Sequence, residues 1–159
     1  MINSEGIPES MFAVLHPDAV IISNGKLDKE TAITSVVELA CRVYTIGDCS
    51  EILENVIDRE SKLSTGIGLE VAVPHCWSTQ VQHCVLAVML VPEGVEYNSV
   101  DNQPVKLIFL IISPVKDITG HLTSLSAISQ AASDETIRMR LLSATSVEEL
   151  YQNVDELHE

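Results

Sequence analysis

Two stretches decide the fold: Val85-Leu86-Ala87-Val88-Met89-Leu90-Val91 and Val105-Lys106-Leu107-Ile108-Phe109-Leu110-Ile111-Ile112. Both have strand length and are almost continuously aliphatic. A strand with one wet face alternates polar and apolar residues, so runs without alternation belong to strands covered on both faces. Helices must therefore lie above and below them. Between the runs, Glu93-Gly94 and Asp101-Asn102 mark turns around a short strand at Val95 to Tyr97, which predicts a hairpin-like central region.

Working outward, the flanking sequence supplies those helices. Asp28 is placed to cap a helix from about Lys29 to Val43, with Ala32, Ile33, Val36, Val37, Leu39, Ala40 and Val43 as an apolar stripe of helical period. After Gly47, Ser50 can cap a second helix to about Lys62 that turns Ile52, Leu53, Val56 and Ile57 inward and carries Arg59 and Glu60 in its last turn. Downstream, helical patterns run from about Gly120 to Ala132, Asp134 to Leu142 and Val147 to Leu157, the last with Ser146 and Glu149 as a capping box. Ala19 to Ile22 reads as a first strand, and Val71 to Val73 as a short apolar segment stopped by Pro74 with His75 at its end. The prediction is an α/β (α+β) fold in which a mixed β-sheet is sandwiched between helices on both faces, a three-layer α/β/α arrangement. With 159 residues, one domain is expected over 16–159, after a loosely ordered lead-in from Met1 to Leu15.

Composition narrows the function. Nine basic against 23 acidic side chains give a formal charge of −14, which repels a phosphate backbone and an anionic bilayer. No nucleic acid is expected as partner. No apolar run reaches the roughly 18 residues of a membrane span, so direct membrane insertion is not expected either. Cys41, Cys49, Cys76 and Cys84 form no CxxC pair, and no export signal precedes the domain. Reduced thiols in a cytoplasmic protein are the simplest expectation.

The stretch with chemical content is Arg59-Glu60-Ser61-Lys62-Leu63-Ser64-Thr65-Gly66-Ile67-Gly68, followed six residues later by Pro74-His75. It gathers a fixed cation, two hydroxyls, a loop with backbone N–H groups and an imidazole. Those parts suit a phosphoryl group, because arginine makes paired charge-assisted bonds to its oxygens while hydroxyls and loop amides add donors. A Gly66-x-Gly68 loop can also simply turn the chain. His121, after Gly120 at a helix start, could bond a bound phosphate or fix the His75 tautomer, and the pattern equally fits a capping or exposed side chain. Two His-Cys pairs, His75-Cys76 and His83-Cys84, invite a metal reading. Neighbours on a strand point to opposite faces, however, and the spacing fits no common zinc pattern, so no metal is expected.

From about Leu15 to Leu150 these features resemble the enzyme IIA family of the phosphotransferase system (PTS), type 2, which includes fructose, mannitol and nitrogen-regulatory forms. The resemblance rests on Arg59-Glu60, the Ser64 to Gly68 loop, Ala72 to His75 and His121-Leu122, with Glu93-Gly94-Val95, Asp101 and the Pro104 to Pro114 strand in the same order. It implies that His75 accepts a phosphoryl group, that Arg59 neutralises it, that His121 lies beside it, and that Ser64 and Thr65 support it from the loop. No cofactor is implied. The implied donor is the phosphocarrier HPr or a nitrogen-type relative, and the implied acceptor a IIB domain cysteine or a regulatory protein bound according to phosphorylation state. Leu69 and Glu70 depart from the family pattern, which has a small polar residue and a glycine there. A carboxylate at 70 could oppose the phosphoryl charge or turn away to pair with a cation.

Overall fold

The computed structural model describes residues 11–158 and builds the molecule around the two aliphatic runs. The elements in chain order are β1 (Val20–Ile22), α1 (Lys29–Val43), α2 (Cys49–Lys62), β2 (Gly66–Gly68), β3 (Val71–Ala72), β4 (His75–Ser78), β5 (Val85–Val95), β6 (Val105–Pro114), α3 (Ile118–Ser133), α4 (Glu135–Leu142) and α5 (Val147–Asp155). β5 and β6 pair antiparallel, with Val88 opposite Phe109 and Leu86 opposite Ile111. β1 adds to β5 in parallel, and β3 and then β4 add to β6 in parallel. The sheet is therefore mixed. Leu86 to Val91 and Leu107 to Ile112 are buried without a break, as strands covered on both faces must be. α1 and α2 pack against β5 and β4, while α3, α4 and α5 pack against β6 and β1. The three-layer α/β/α expectation holds.

Several local expectations shift. Glu93-Gly94 is not a turn before a separate strand. β5 runs through it to Val95, and the pairing register slips between Leu90 and Val95 while Gly94 takes φ +83°. A bulge absorbs the glycine without ending the strand. Tyr97 then leaves the sheet fully buried. α2 is capped by Asp48, whose carboxylate accepts the Glu51 N–H, so Ser50 is not the cap but lies inside the first turn. α3 begins at Ile118 because Asp117 accepts the Gly120 N–H at 2.8 Å, which puts His121 inside the first turn. Glu149 reaches one residue beyond the Ser146 cap, accepting from both the N–H and the hydroxyl of Thr145.

Of the lead-in, Met1 to Ser10 lies outside the described residues. Met11–Val14 is a 3-10 turn, and Phe12 and Leu15 are buried in the core rather than loosely attached. The thiol expectation is corrected as well. Cys41 at the end of α1 and Cys49 at the start of α2 form a disulfide, their Cα atoms 5.8 Å apart across the short interhelical loop, while Cys76 and Cys84 stay unpaired. The spacing in sequence conceals this, since only the turn between two helices brings the pair together. No helix among the described residues is long and apolar enough to cross a membrane.

Candidate functional site

His75 opens β4 rather than ending the strand before it. Pro74 separates β3 from β4, and its carbonyl accepts the Ile111 N–H at 3.1 Å, so the chain continues along β6 through a residue that has no N–H to give. In this register His75 lies opposite Ile111 and Trp77 opposite Ser113. Side chains two apart on a strand share a face, so His75 and Trp77 emerge together where α3 arrives.

His121 meets them there. Its ring centroid is 5.1 Å from that of His75 and 4.0 Å from that of Trp77, whose ring is tilted 30° to it. His121 is only 3% exposed, which removes the reading as a capping or exposed side chain. Arg59, on the last turn of α2, lines a cleft of about 370 Å³ together with Lys62, His75 and Trp77. One of its N–H groups is committed to the Leu63 carbonyl at 2.8 Å, which closes the end of α2 and fixes the stem of the side chain. Arg59, His75 and His121, far apart in sequence, thus converge at one edge of the sheet.

The electrostatics favour neutral imidazoles. Burial lowers the pKa of His75, partly opposed by its bond to the Val73 carbonyl and reinforced by the Arg59 charge. For His121, burial first, then His75 and Arg59, push the pKa down to about 4. Near neutral pH each ring carries one proton, and its location matters. Nδ1 of His75 is 2.8 Å from the Val73 carbonyl, an oxygen that can only accept. The proton therefore sits on Nδ1, and the lone pair is on Nε2.

Ser64 and Thr65 are placed differently from the sequence expectation. The Ser64 hydroxyl donates to the Tyr97 carbonyl at 3.0 Å and accepts the Gly66 N–H at 3.1 Å. Thr65 is buried, with its N–H and its hydroxyl both given to the Glu60 carboxylate, at 2.8 and 2.5 Å. Since the Thr65 hydroxyl proton goes to Glu60, Tyr97 must donate its own to Thr65 Oγ1, 3.2 Å away. Lys29 closes the cluster, 2.9 Å from Glu60 and 4.4 Å above the centre of the Tyr97 ring. These hydroxyls shape the loop and do not present donors to an anion. For Thr65 the reason is Glu60: a carboxylate 7% exposed must be surrounded by donors, and Thr65 provides two of them.

The loop's glycines are required by contact and by backbone. A Cβ on Gly66 would lie 2.9 Å from the Ser99 backbone, and Gly68 adopts φ +88°. Leu69 and Glu70 follow with φ +60° and +67°. The Glu70 carboxylate pairs with Lys106 at 3.1 Å, so its charge is turned to a cation on β6.

Trp77, Ser113 and the Val73 carbonyl escaped the sequence reading. Trp77 could have been found from its two-residue spacing to His75; Ser113, a lone hydroxyl in an apolar strand, carries no local signal. Of the metal reading, Cys76 is buried with its thiol pushed up to about 12, chiefly by that burial, while Cys84 bonds to Ser113. Among the described residues no three His, Cys, Asp or Glu side chains are grouped to hold a metal ion.

The chain is similar to proteins of one family. The model of the phosphoenolpyruvate-dependent sugar phosphotransferase system, EIIA 2, matches residues 13–156. The fructose-specific EIIA component of Haloferax volcanii is 32% identical over 118 residues, 74% of this chain and 77% of that protein. A nitrogen regulatory protein of Pseudomonas aeruginosa is 30% identical over 141 residues, 89% and 92% of the two chains. Among solved structures, nitrogen regulatory protein IIA-Ntr of Neisseria meningitidis superposes with TM-score 0.76 at 26% identity, covering 90% of this chain and 97% of that one. IIA mannitol of Escherichia coli follows with TM-score 0.70 at 25% identity, covering 84% and 94%. With the family model spanning residues 13–156, nearly all of the described residues, the chain belongs to the EIIA type 2 family of the phosphotransferase system.

Proposed function

We propose that this chain is a phosphocarrier in which Nε2 of His75 accepts a phosphoryl group from phospho-HPr or a nitrogen-type relative and hands it to a IIB cysteine. The observation that supports this most is the His75 Nδ1 bond to the Val73 carbonyl, which leaves the Nε2 lone pair in a cleft beside Arg59. In the transfer, the bond from phosphorus to the donor's nitrogen breaks as the bond to His75 Nε2 forms. The donor imidazole departs with the electron pair of the broken bond, and His75 keeps its proton on Nδ1. Arg59 stabilises the charge spread over the equatorial oxygens, and the protein's main work is alignment. The residues of this chain suffice for that step, without a cofactor. The protein would act in the cytoplasm, where its family's donors operate.

The test is incubation with phosphoenolpyruvate, enzyme I and HPr, then mass spectrometry at alkaline pH, where phosphohistidine survives. Wild-type chain gains one phosphoryl group, and His75→Ala gains none while keeping its melting temperature. Equal uptake by His75→Ala would overturn the assignment. A second reading, a regulator whose partners depend on phosphorylation state, is supported by the 92% coverage of a nitrogen regulatory protein. Retention of a regulatory partner by only one of the two phosphorylation states would favour it over onward transfer to IIB.

A further inference from the structure

The site holds two imidazoles, and a transfer site gains nothing from two lone pairs aimed at one anion. One ring must present a lone pair to phosphorus and the other a donor to the phosphoryl oxygens. His75 is set for the first role by its own backbone. We infer that Ser113, held in turn by Cys84, is a positioning residue that fixes His121 with its proton on Nε2, making it the donor of the pair. This inference rests on the proposal that His75 carries the phosphoryl group.

The observation is a chain of three polar groups in the wall of the sheet. The Cys84 thiol donates to Ser113 Oγ at 3.4 Å, and Ser113 Oγ lies 2.6 Å from His121 Nδ1. A serine hydroxyl has one proton and two lone pairs. With the thiol proton on one lone pair, Nδ1 is the acceptor that remains for the Ser113 proton; were Nδ1 to donate instead, that proton would be buried without a partner. Nδ1 is then an acceptor, and the ring proton must sit on Nε2, at the edge of the ring away from Ser113. A fully buried hydroxyl between Ile112 and Pro114 is costly unless bonded, and His121 is where that cost is recovered.

Two neighbouring strand positions share the task. Trp77 packs against the His121 ring at a tilt of 30° and limits its swing, and Ser113, opposite Trp77 in the register, bonds its Nδ1 edge. The charged and titratable groups acting on His121 are His75, Arg59 and Asp117. The low pKa of His121 keeps the ring neutral near pH 7, the state in which a tautomer can be chosen at all.

The test uses Ser113→Ala, which removes one oxygen and leaves the strand's shape. Ring ¹⁵N NMR of the unphosphorylated wild-type protein is expected to show His121 protonated on Nε2, with Nδ1 an accepting nitrogen, and His75 protonated on Nδ1. In Ser113→Ala the His121 Nδ1 signal moves to that of an unbonded or mixed-tautomer nitrogen while His75 stays unchanged. Transfer from phospho-HPr slows about three- to tenfold, the scale of one hydrogen bond. Cys84→Ala, which removes only the outer link, slows it less. A wild-type His121 protonated on Nδ1, a Ser113→Ala rate equal to wild type, or a larger loss in Cys84→Ala than in Ser113→Ala would overturn the inference. The NMR measurement needs no phosphoryl donor, so it decides the relay even if wild-type protein takes up no phosphate and the functional reading fails.

Discussion

Two polar clusters draw on the same stretch that links α2 to β4, and they differ in how completely they are closed. In the first, Glu60, Lys29, Thr65 and Tyr97 bond to one another so that the buried carboxylate meets an ammonium, an amide and a hydroxyl. In the second, His75 and His121 each spend Nδ1 on the protein, on Val73 and Ser113, and their Nε2 atoms are left for something that arrives. The first cluster holds α1, α2 and the loop together; the second can do chemistry. A saturated network stabilises, whereas an unsaturated one keeps groups free to react.

The comparison breaks most readily at Glu60. Glu60→Ala leaves Lys29 and the Thr65 N–H without their partner, and a loss of roughly 2–4 kcal/mol is expected, below the full value for a buried pair because Lys29 is partly exposed. Denaturant unfolding would measure it. If instead stability held and only transfer fell, the closed cluster would belong to the reaction and the contrast would collapse.

Arg59→Lys sharpens the other side. Lysine can still serve the end of α2 but lacks the planar fork that holds two phosphate oxygens. A ten- to hundredfold slower transfer is expected, about 1.5–3 kcal/mol, with the melting temperature within a few degrees of wild type. Rapid-quench transfer from phospho-HPr checks this, and a wild-type rate would return Arg59 to a capping role alone.

The open cluster should also show itself in the pH dependence of stability. His121 is depressed to about 4 in the folded chain against about 6.5 unfolded, so between those values the unfolded chain binds more protons. Its contribution to stability is complete above about pH 6.5 and is lost as pH falls toward 4. Thermal melts from pH 7 to 4 should decline more steeply for wild type than for His121→Gln; parallel curves would mean that His121 is not held neutral.

The smallest effect is expected at Glu70. Glu70→Gly relieves a left-handed residue, gives up a partly exposed ion pair with Lys106 and adds backbone entropy to the unfolded chain, so the terms nearly cancel, to within about 1 kcal/mol. Transfer should be unchanged. A marked gain in rate would mean that the Glu70 carboxylate reaches the phosphoryl group despite Lys106.

The sequence by itself determined the layers and the pieces. Continuous aliphatic runs cannot form half-wet strands, and the helical stripe from Ala32 to Val43 with Asp28 before it can hardly be anything else, because periodicity and capping are local properties. His75, Arg59 and His121 came together as a set only through the resemblance of the motif order to a known family, and the structure brings the three side chains near one another. What tertiary structure decided was which polar groups are already spent. Ser64 and Thr65 look like anion ligands in the chain, and only the approach of Tyr97 and the burial of Glu60 show their donors to be taken. Ser113 and the Cys41–Cys49 bond left no trace in local pattern, since each depends on a partner brought close by packing. The disposition of a proton on an imidazole is settled by the one atom that faces it, and a sequence does not say which atom that is.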